Sequence, residues 1–192
     1  KIVTELLQHL HACNNSVTVF YGRVDELKRV HEYITGANNV PFVFFGEGGS
    51  GKTAIISKAA CNSVQDWLLP SKPILIARYL GTTPDSSSLG PLLHSICLQL
   101  SYTFMLPFEN IPDDIVPLTA YMKELLKKAT KEQPIIISLD SVDQLVVSQS
   151  GNKMSWLPLT LPPHAKFMIS CTREEGNKKL NEIYEELSKL IL

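Results

Sequence analysis

Residues Gly46-Glu47-Gly48-Gly49-Ser50-Gly51-Lys52-Thr53 satisfy the pattern G-x-x-x-x-G-K-[ST], whose chemistry is the holding of a purine nucleoside triphosphate with Mg2+. Glycines at 46, 48, 49 and 51 let the backbone curl tightly, so that successive amide N–H groups face phosphate oxygens. The helix that follows aims its positive N-terminal end at the same anion. Lys52 is the residue for the β- and γ-phosphates and the Thr53 hydroxyl the one for magnesium. Glu47, Ser50 and Ala54 complete the candidate cradle. A glycine-rich turn of purely structural origin is the competing reading; a strand before the loop, with Lys and Thr in register after it, weighs against it.

A second element is Ile135-Ile136-Ile137-Ser138-Leu139-Asp140-Ser141-Val142-Asp143. An aliphatic strand that ends in an acid places a carboxylate where it holds magnesium directly or through water, and Asp140 fills that position. Asp143 is close enough to face the γ-phosphate and orient or deprotonate water; a simple helix N-cap is its other reading. A third element, Ser170-Cys171-Thr172-Arg173, ends the next strand. Arg173 there is a candidate sensor of the γ-phosphate, or else a surface arginine paired with Glu174 or Glu175. Arg78 and Thr82, at the end of another strand, are weaker candidates, since a strand-end arginine as easily serves a salt bridge.

These residues need elements to position them, and apolar periodicity supplies a strand–helix alternation. Helices are predicted around Ile2–Cys13, Asp25–Thr35, Lys52–Val64, Leu92–Leu100, Leu118–Thr130 and Lys179–Leu192. Asn14-Asn15-Ser16 reads as a linker, giving an N-terminal helix and linker over 1–17 and a nucleotide-binding domain over 18–192. The all-apolar run Val40–Phe45 reads as a strand buried on both faces. Further strands are expected at Pro73–Leu80, Ile135–Leu139 and Lys166–Ser170. Tyr102–Pro117, with three prolines, reads as an irregular connection, Thr83–Ser88 as a polar loop and Gln149–Pro163 as a loop holding Trp156. Such alternation implies right-handed crossovers and a parallel sheet covered on both faces.

Composition narrows the classes. The chain has 192 residues, an apolar fraction of 44%, a charged fraction of 19% and a net charge of −1, an ordinary globular balance. Bulk electrostatics therefore recruits neither nucleic acid nor an anionic membrane. No apolar run approaches the ~18 residues that span a bilayer. Cys13, Cys61, Cys97 and Cys171 form no C-x-x-C pair and read as free thiols of a reducing, cytoplasmic compartment. His9, His11 and Cys13 lie close in sequence but alternate, so they do not share one helical face as a metal site would require. The lysines at 123, 127 and 128 read as a solvated face. The chain opens on Lys1, which reads as a piece of something longer.

Together these elements resemble the signal-transduction NTPases with a NACHT domain, within the wider AAA-like P-loop class. The resemblance implies a three-layer α/β sandwich around a mostly parallel sheet. It also implies a segment packed beside adenine, which falls on Tyr21, Gly22 and Arg23. Asp140, Ser141, Val142 and Asp143 match the family's acidic strand end, while Gln144 stands where a further acid often follows. Softer similarity to the NACHT and WD-repeat branch runs through Arg78–Ser88, Leu92–Cys97, Leu139–Leu145 and Trp156–Pro158. The implied activity is an ATP/ADP switch with slow hydrolysis, self-association through neighbouring domains, and protein partners bound by repeats. Lid and repeat domains do not fall within these residues, so the resemblance implies a site left open to solvent.

Overall fold

The computed structural model describes residues 2–82, 85–146, 154–176 and 178–191. Thr83, Pro84 and the stretch 149–153, part of two predicted loops, lie outside the described residues, as does Leu192. In chain order the elements are α1 (Ile2–Val17), α2 (Val24–Thr35), β1 (Phe42–Gly46), α3 (Lys52–Asn62), β2 (Ile74–Tyr79), α4 (Leu89–Thr103), α5 (Ile115–Leu126), β3 (Ile135–Asp140), β4 (Ala165–Thr172) and α6 (Lys178–Ile191). The four strands form one sheet in the order β1-β4-β3-β2, and every neighbouring pair is parallel.

Alternation along each strand sends side chains to opposite faces, and both faces are covered. Ile137, Leu139, Phe167 and Ile169 pack with Leu93, Ile96, Met122 and Leu187 from α4, α5 and α6. On the other face Ile136 and Met168 meet Val30 and Ile34 of α2 and Ile56, Ala59 and Ala60 of α3. The result is an all-parallel α/β arrangement compatible with a P-loop NTPase-like sandwich. Among the described residues, no helix is long and apolar enough to cross a membrane.

Three local expectations are corrected. Asn14-Asn15-Ser16 is not a linker, because α1 runs unbroken to Val17. Its polar side chains are satisfied within the helix: Ser16 Oγ donates to Ala12 O at 2.8 Å and Asn15 Nδ2 meets His11 Nε2 at 3.0 Å. Strand β1 does face both layers, but it is an edge strand, so all its residues stay half-buried. The supposed irregular connection before residue 118 already contains the first turn of α5. Pro117 is tolerated there because a first-turn residue needs no intrahelical N–H bond.

The outer edge of β2 explains two buried polar residues. A free parallel edge exposes unpaired N–H and C=O groups, which invite association unless they are covered. Here the Tyr79 N–H donates to His9 Nδ1 at 3.1 Å, and Thr82 Oγ1 donates to the Tyr79 carbonyl. Arg78 Nη1 donates to the Ala77 carbonyl, and Gln99 Nε2 to that of Leu75. The Arg78 guanidinium also bonds Ser95 Oγ and Gln99 Oε1 and is buried. Arg78 and Thr82 therefore secure an edge rather than reaching the phosphate loop.

His9 is buried against this edge, and burial, with Arg78 nearby, lowers its pKa to about 4. The folded state thus binds its proton more weakly than the unfolded chain does, so stability is lost as pH falls from about 6.5 toward 4. Glu5, 3.7 Å from His9 Nε2, offsets part of that loss once the ring is charged. A series of urea midpoints against pH should show this fall in the wild type and a flatter profile in His9→Gln.

Candidate functional site

Strand β1 delivers the loop 46–53 to the carboxyl end of the sheet, and α3 begins immediately after it. Gly49 and Gly51 have φ of 75° and 87°, a left-handed backbone that any larger residue would enter only with strain. At Gly46 a Cβ would come within 2.7 Å of Ser50 Oγ, so the Ser50 side chain would have to turn away. Lys52 is folded back into the loop, with Nζ donating to the Gly46 carbonyl at 2.8 Å and the Glu47 carbonyl at 2.7 Å. The first-turn amides of α3, those of Lys52, Thr53 and Ala54, have no intrahelical acceptor, as at any helix start.

Asp140 reaches this loop across the sheet. Thr53 Oγ1 donates to Asp140 Oδ2 at 2.8 Å, joining residues 87 positions apart. The carboxylate is only 5% exposed, and Ser170 Oγ donates to its other oxygen. Ser170 in turn accepts the Ser141 N–H at 2.7 Å, which fixes the left-handed turn at Ser141 (φ 61°). Nothing in the residue pattern marks Ser170 for this role. Only the strand order does, because β4 lies between β1 and β3.

Asp143 lies in the turn after β3, and its carboxylate is engaged at both oxygens. Oδ1 accepts the Thr172 N–H at 2.8 Å, and Oδ2 accepts from Gln144 Nε2 at 3.1 Å. It is thus anchored to the end of β4 rather than capping a helix. Arg173 donates its backbone N–H to the Gly46 carbonyl, while its guanidinium lies 4.9 Å over the Tyr184 ring of α6. Neither sequence reading of Arg173 anticipates that ring. Glu174, considered only as a partner for Arg173, places Oε1 3.6 Å from where a Cβ on Gly48 would sit.

The segment before α2 divides. Arg23 takes a left-handed conformation after Gly22 and holds the loop from outside, Nη2 donating to the Ser50 carbonyl at 2.8 Å and Nη1 to Glu26. Tyr21 is 88% exposed. The structure therefore gathers Lys52, Thr53, Asp140, Asp143 and Arg23 about one loop, and leaves the side chains of Tyr21 and Arg173 outside that cluster.

The residues present fit an anion with a hard cation. A glycine-rich cradle with left-handed turns at Gly49 and Gly51, a helix N-terminus and one lysine suits phosphate, and a hydroxyl beside a carboxylate suits an oxygen-seeking metal. No group of three or more His, Cys, Asp or Glu able to hold a metal occurs among the described residues. A magnesium ion here would thus complete its shell with water and phosphate oxygens.

Sheet order, glycine loop and strand-end acid describe an all-parallel α/β domain compatible with a P-loop NTPase-like sandwich, and the relatives narrow that class. Over 86% of its length the chain is 31% identical to NACHT and WD repeat domain-containing protein 2 of Mus musculus. It is 30% identical, again over 86%, to NACHT domain- and WD repeat-containing protein 1 of Homo sapiens. Tetratricopeptide repeat protein 41 of Rattus norvegicus is 28% identical over 82% of the chain. No family model matches. The chain is thus homologous to a segment of NACHT and WD repeat domain-containing proteins, and it spans only about a tenth of their length (10% and 11%).

Removing the Ser170 hydroxyl deprives both the Asp140 carboxylate and the Ser141 N–H of a partner in a buried place. Ser170→Ala should destabilise the fold by about 1–3 kcal/mol, read from the urea midpoint at unchanged m-value.

Proposed function

We propose that this chain is an ATP/ADP-binding regulatory switch domain of a larger multidomain protein, with slow Mg2+-dependent hydrolysis of ATP. The observation that carries the reading is the 2.8 Å bond between Thr53 and Asp140, which joins the loop to the acid of a strand two places away in the sheet. Magnesium held between those two groups and the phosphates would neutralise charge on the β- and γ-phosphoryl oxygens. Lys52 would exchange the Gly46 and Glu47 carbonyls for phosphate oxygens, replacing neutral acceptors with charged ones. The amides of Gly48, Gly49, Gly51 and Thr53 would line the same anion.

Slow turnover follows from Asp143. Each of its oxygens already accepts an N–H bond, which holds the carboxylate against the end of β4 instead of leaving it free to turn toward an attacking water. Hydrolysis would then reset the switch rather than supply product. The same observation favours one alternative, a nucleotide-binding scaffold without turnover. A phosphotransferase is less well supported, since it calls for an acceptor site and a mobile arginine-rich lid. Adenine is preferred over guanine by the resemblance alone. Signalling would come from the differential affinity of ATP and ADP for two states of the whole protein. Self-association through neighbouring domains, repeat-bound protein partners and a cytoplasmic setting belong to the same proposal, as does the absence of nucleic-acid and membrane binding.

The test is nucleotide titration of the purified chain, followed by phosphate release. Lys52→Ala should weaken binding of fluorescent ADP by about tenfold or more, a loss of about 1.4 kcal/mol. Asp140→Asn should abolish the magnesium dependence, and Asp143→Asn should slow release with binding nearly unchanged. A wild-type chain that binds no nucleotide contradicts the proposal; binding with no release at all moves the reading to the scaffold.

A further inference from the structure

Away from the nucleotide site, two of the four cysteines meet. Cys13 of α1 and Cys61 near the end of α3 have their sulfurs 3.8 Å apart, in contact across the helix pair. Cys13 is buried and Cys61 half-exposed, so the pair sits just beneath the surface. Cys13 also faces the Ser57 carbonyl at 3.9 Å, and Ser57 Oγ bonds the Tyr79 hydroxyl at 2.6 Å. Ala77 and Tyr79 of β2 pack in the same cluster.

We propose that Cys13 and Cys61 form a reversible disulfide that staples α1 to α3, with a hydroperoxide as the oxidant. An S–S bond of about 2.05 Å requires the sulfurs to close the remaining gap, a movement that side-chain rotation with a small helix shift provides. The contact between them also prepares the chemistry. The hydrogen-bonding contact with Cys61 lowers the Cys13 thiol, with Tyr79 and Ser57 assisting against burial, and raises Cys61. Cys13 is then the thiolate of the pair, the form that attacks.

The steps balance. Cys13 sulfur attacks one peroxide oxygen, the S–O bond forms, the O–O bond breaks, and the departing hydroxide takes up the proton that Cys13 released and leaves as water (an alkoxide likewise leaves as the alcohol). Cys61 sulfur then attacks the Cys13 sulfenic acid, S–S forms, S–O breaks, and hydroxide takes the Cys61 proton as a second water. Two thiols are oxidised and one peroxide is reduced. A thiol reductant reverses the bond by exchange.

The staple would act on the edge of the sheet. Helix α1 brings His9 to the Tyr79 N–H, and Tyr79 is the register partner of Asp140. Closing a loop that spans 48 positions also restrains the unfolded chain. Cys97 and Cys171 are buried, with thiols pushed up to about 12, and serve as internal controls.

Treat the chain with hydrogen peroxide, alkylate the free thiols, digest it and examine the peptides by mass spectrometry. A Cys13–Cys61 linked peptide is expected, two hydrogens lighter than its reduced parts and released by dithiothreitol. Cys97 and Cys171 should be alkylated only after unfolding. Oxidised wild type should show a Tm higher by several degrees and slower amide exchange in α1, and Cys61→Ser should show neither change. Should that variant fail to fold, the linked peptide and the slowed exchange in wild type carry the test alone. Both thiols still open to alkylation after peroxide, sulfinic acid on Cys61 alone, or a bond to a second copy of the chain would overturn the proposal.

Discussion

A hydroxyl and a carboxylate, drawn together from 87 positions apart, hold the two halves of the candidate site in one place. Thr53 stands at the start of α3, just after β1, and Asp140 at the end of β3, two places from β1 in the sheet. Strand β4 inserts between β1 and β3, so Asp140 approaches the loop from across a neighbour and not from beside it. The inserted strand is also what holds the acid in place. Ser170 bonds the carboxylate, Thr172 bonds Asp143, and the Arg173 N–H bonds the Gly46 carbonyl at 3.1 Å. Three successive features of one strand end thus tie the loop and both acids into a single frame. Buried networks of this sort are stiff only when every member is satisfied, and here each carboxylate oxygen has a donor.

The frame has a cost at its margins. A four-stranded parallel sheet has two edges, and each needs cover. On the β2 side the solution is side-chain capping by His9, Arg78, Gln99 and Thr82, which consumes a buried guanidinium and a buried imidazole without any carboxylate partner within salt-bridge range of Arg78 among the described residues. On the β1 side Tyr33 serves where β4 runs past the start of β1, its hydroxyl donating to the Phe167 carbonyl and accepting the Phe167 N–H. These are long-range contacts that secure strand ends, and they account for polar residues that would otherwise be costly inside a core.

Much of the fold was legible in the sequence because the strand–helix rhythm is strong. The buried runs at 135–139 and 166–170 and the stripe of α5 fall where periodicity puts them. Boundaries failed where local chemistry opposed the simple rule. Asn14, Asn15 and Ser16 look like a linker, yet tertiary contact of Cys13 with α3 keeps their helix going. Pro117 looks like a stop, yet a proline in a first turn is harmless. Edge position is invisible to composition, because the all-apolar run of β1 has the same pattern as the buried central strands.

The site divides in the same way. Lys52, Thr53 and Asp140 are readable because their spacing to strand and helix is local. Ser170, Glu174 and the Cys13–Cys61 contact depend on which strands and helices become neighbours, and sequence distance hides that. Arg78, a weaker candidate from the start, proves to be an edge cap bonded to the Ala77 carbonyl, Ser95 and Gln99.

The central claim is that Thr53 and Asp140 act as one unit on a magnesium-bound nucleotide. A double-mutant cycle of Thr53→Val and Asp140→Asn on magnesium-dependent ADP affinity tests it most directly. The account predicts a coupling above about 1 kcal/mol, with the double variant little worse than either single one. Losses that add within about 0.5 kcal/mol would contradict it.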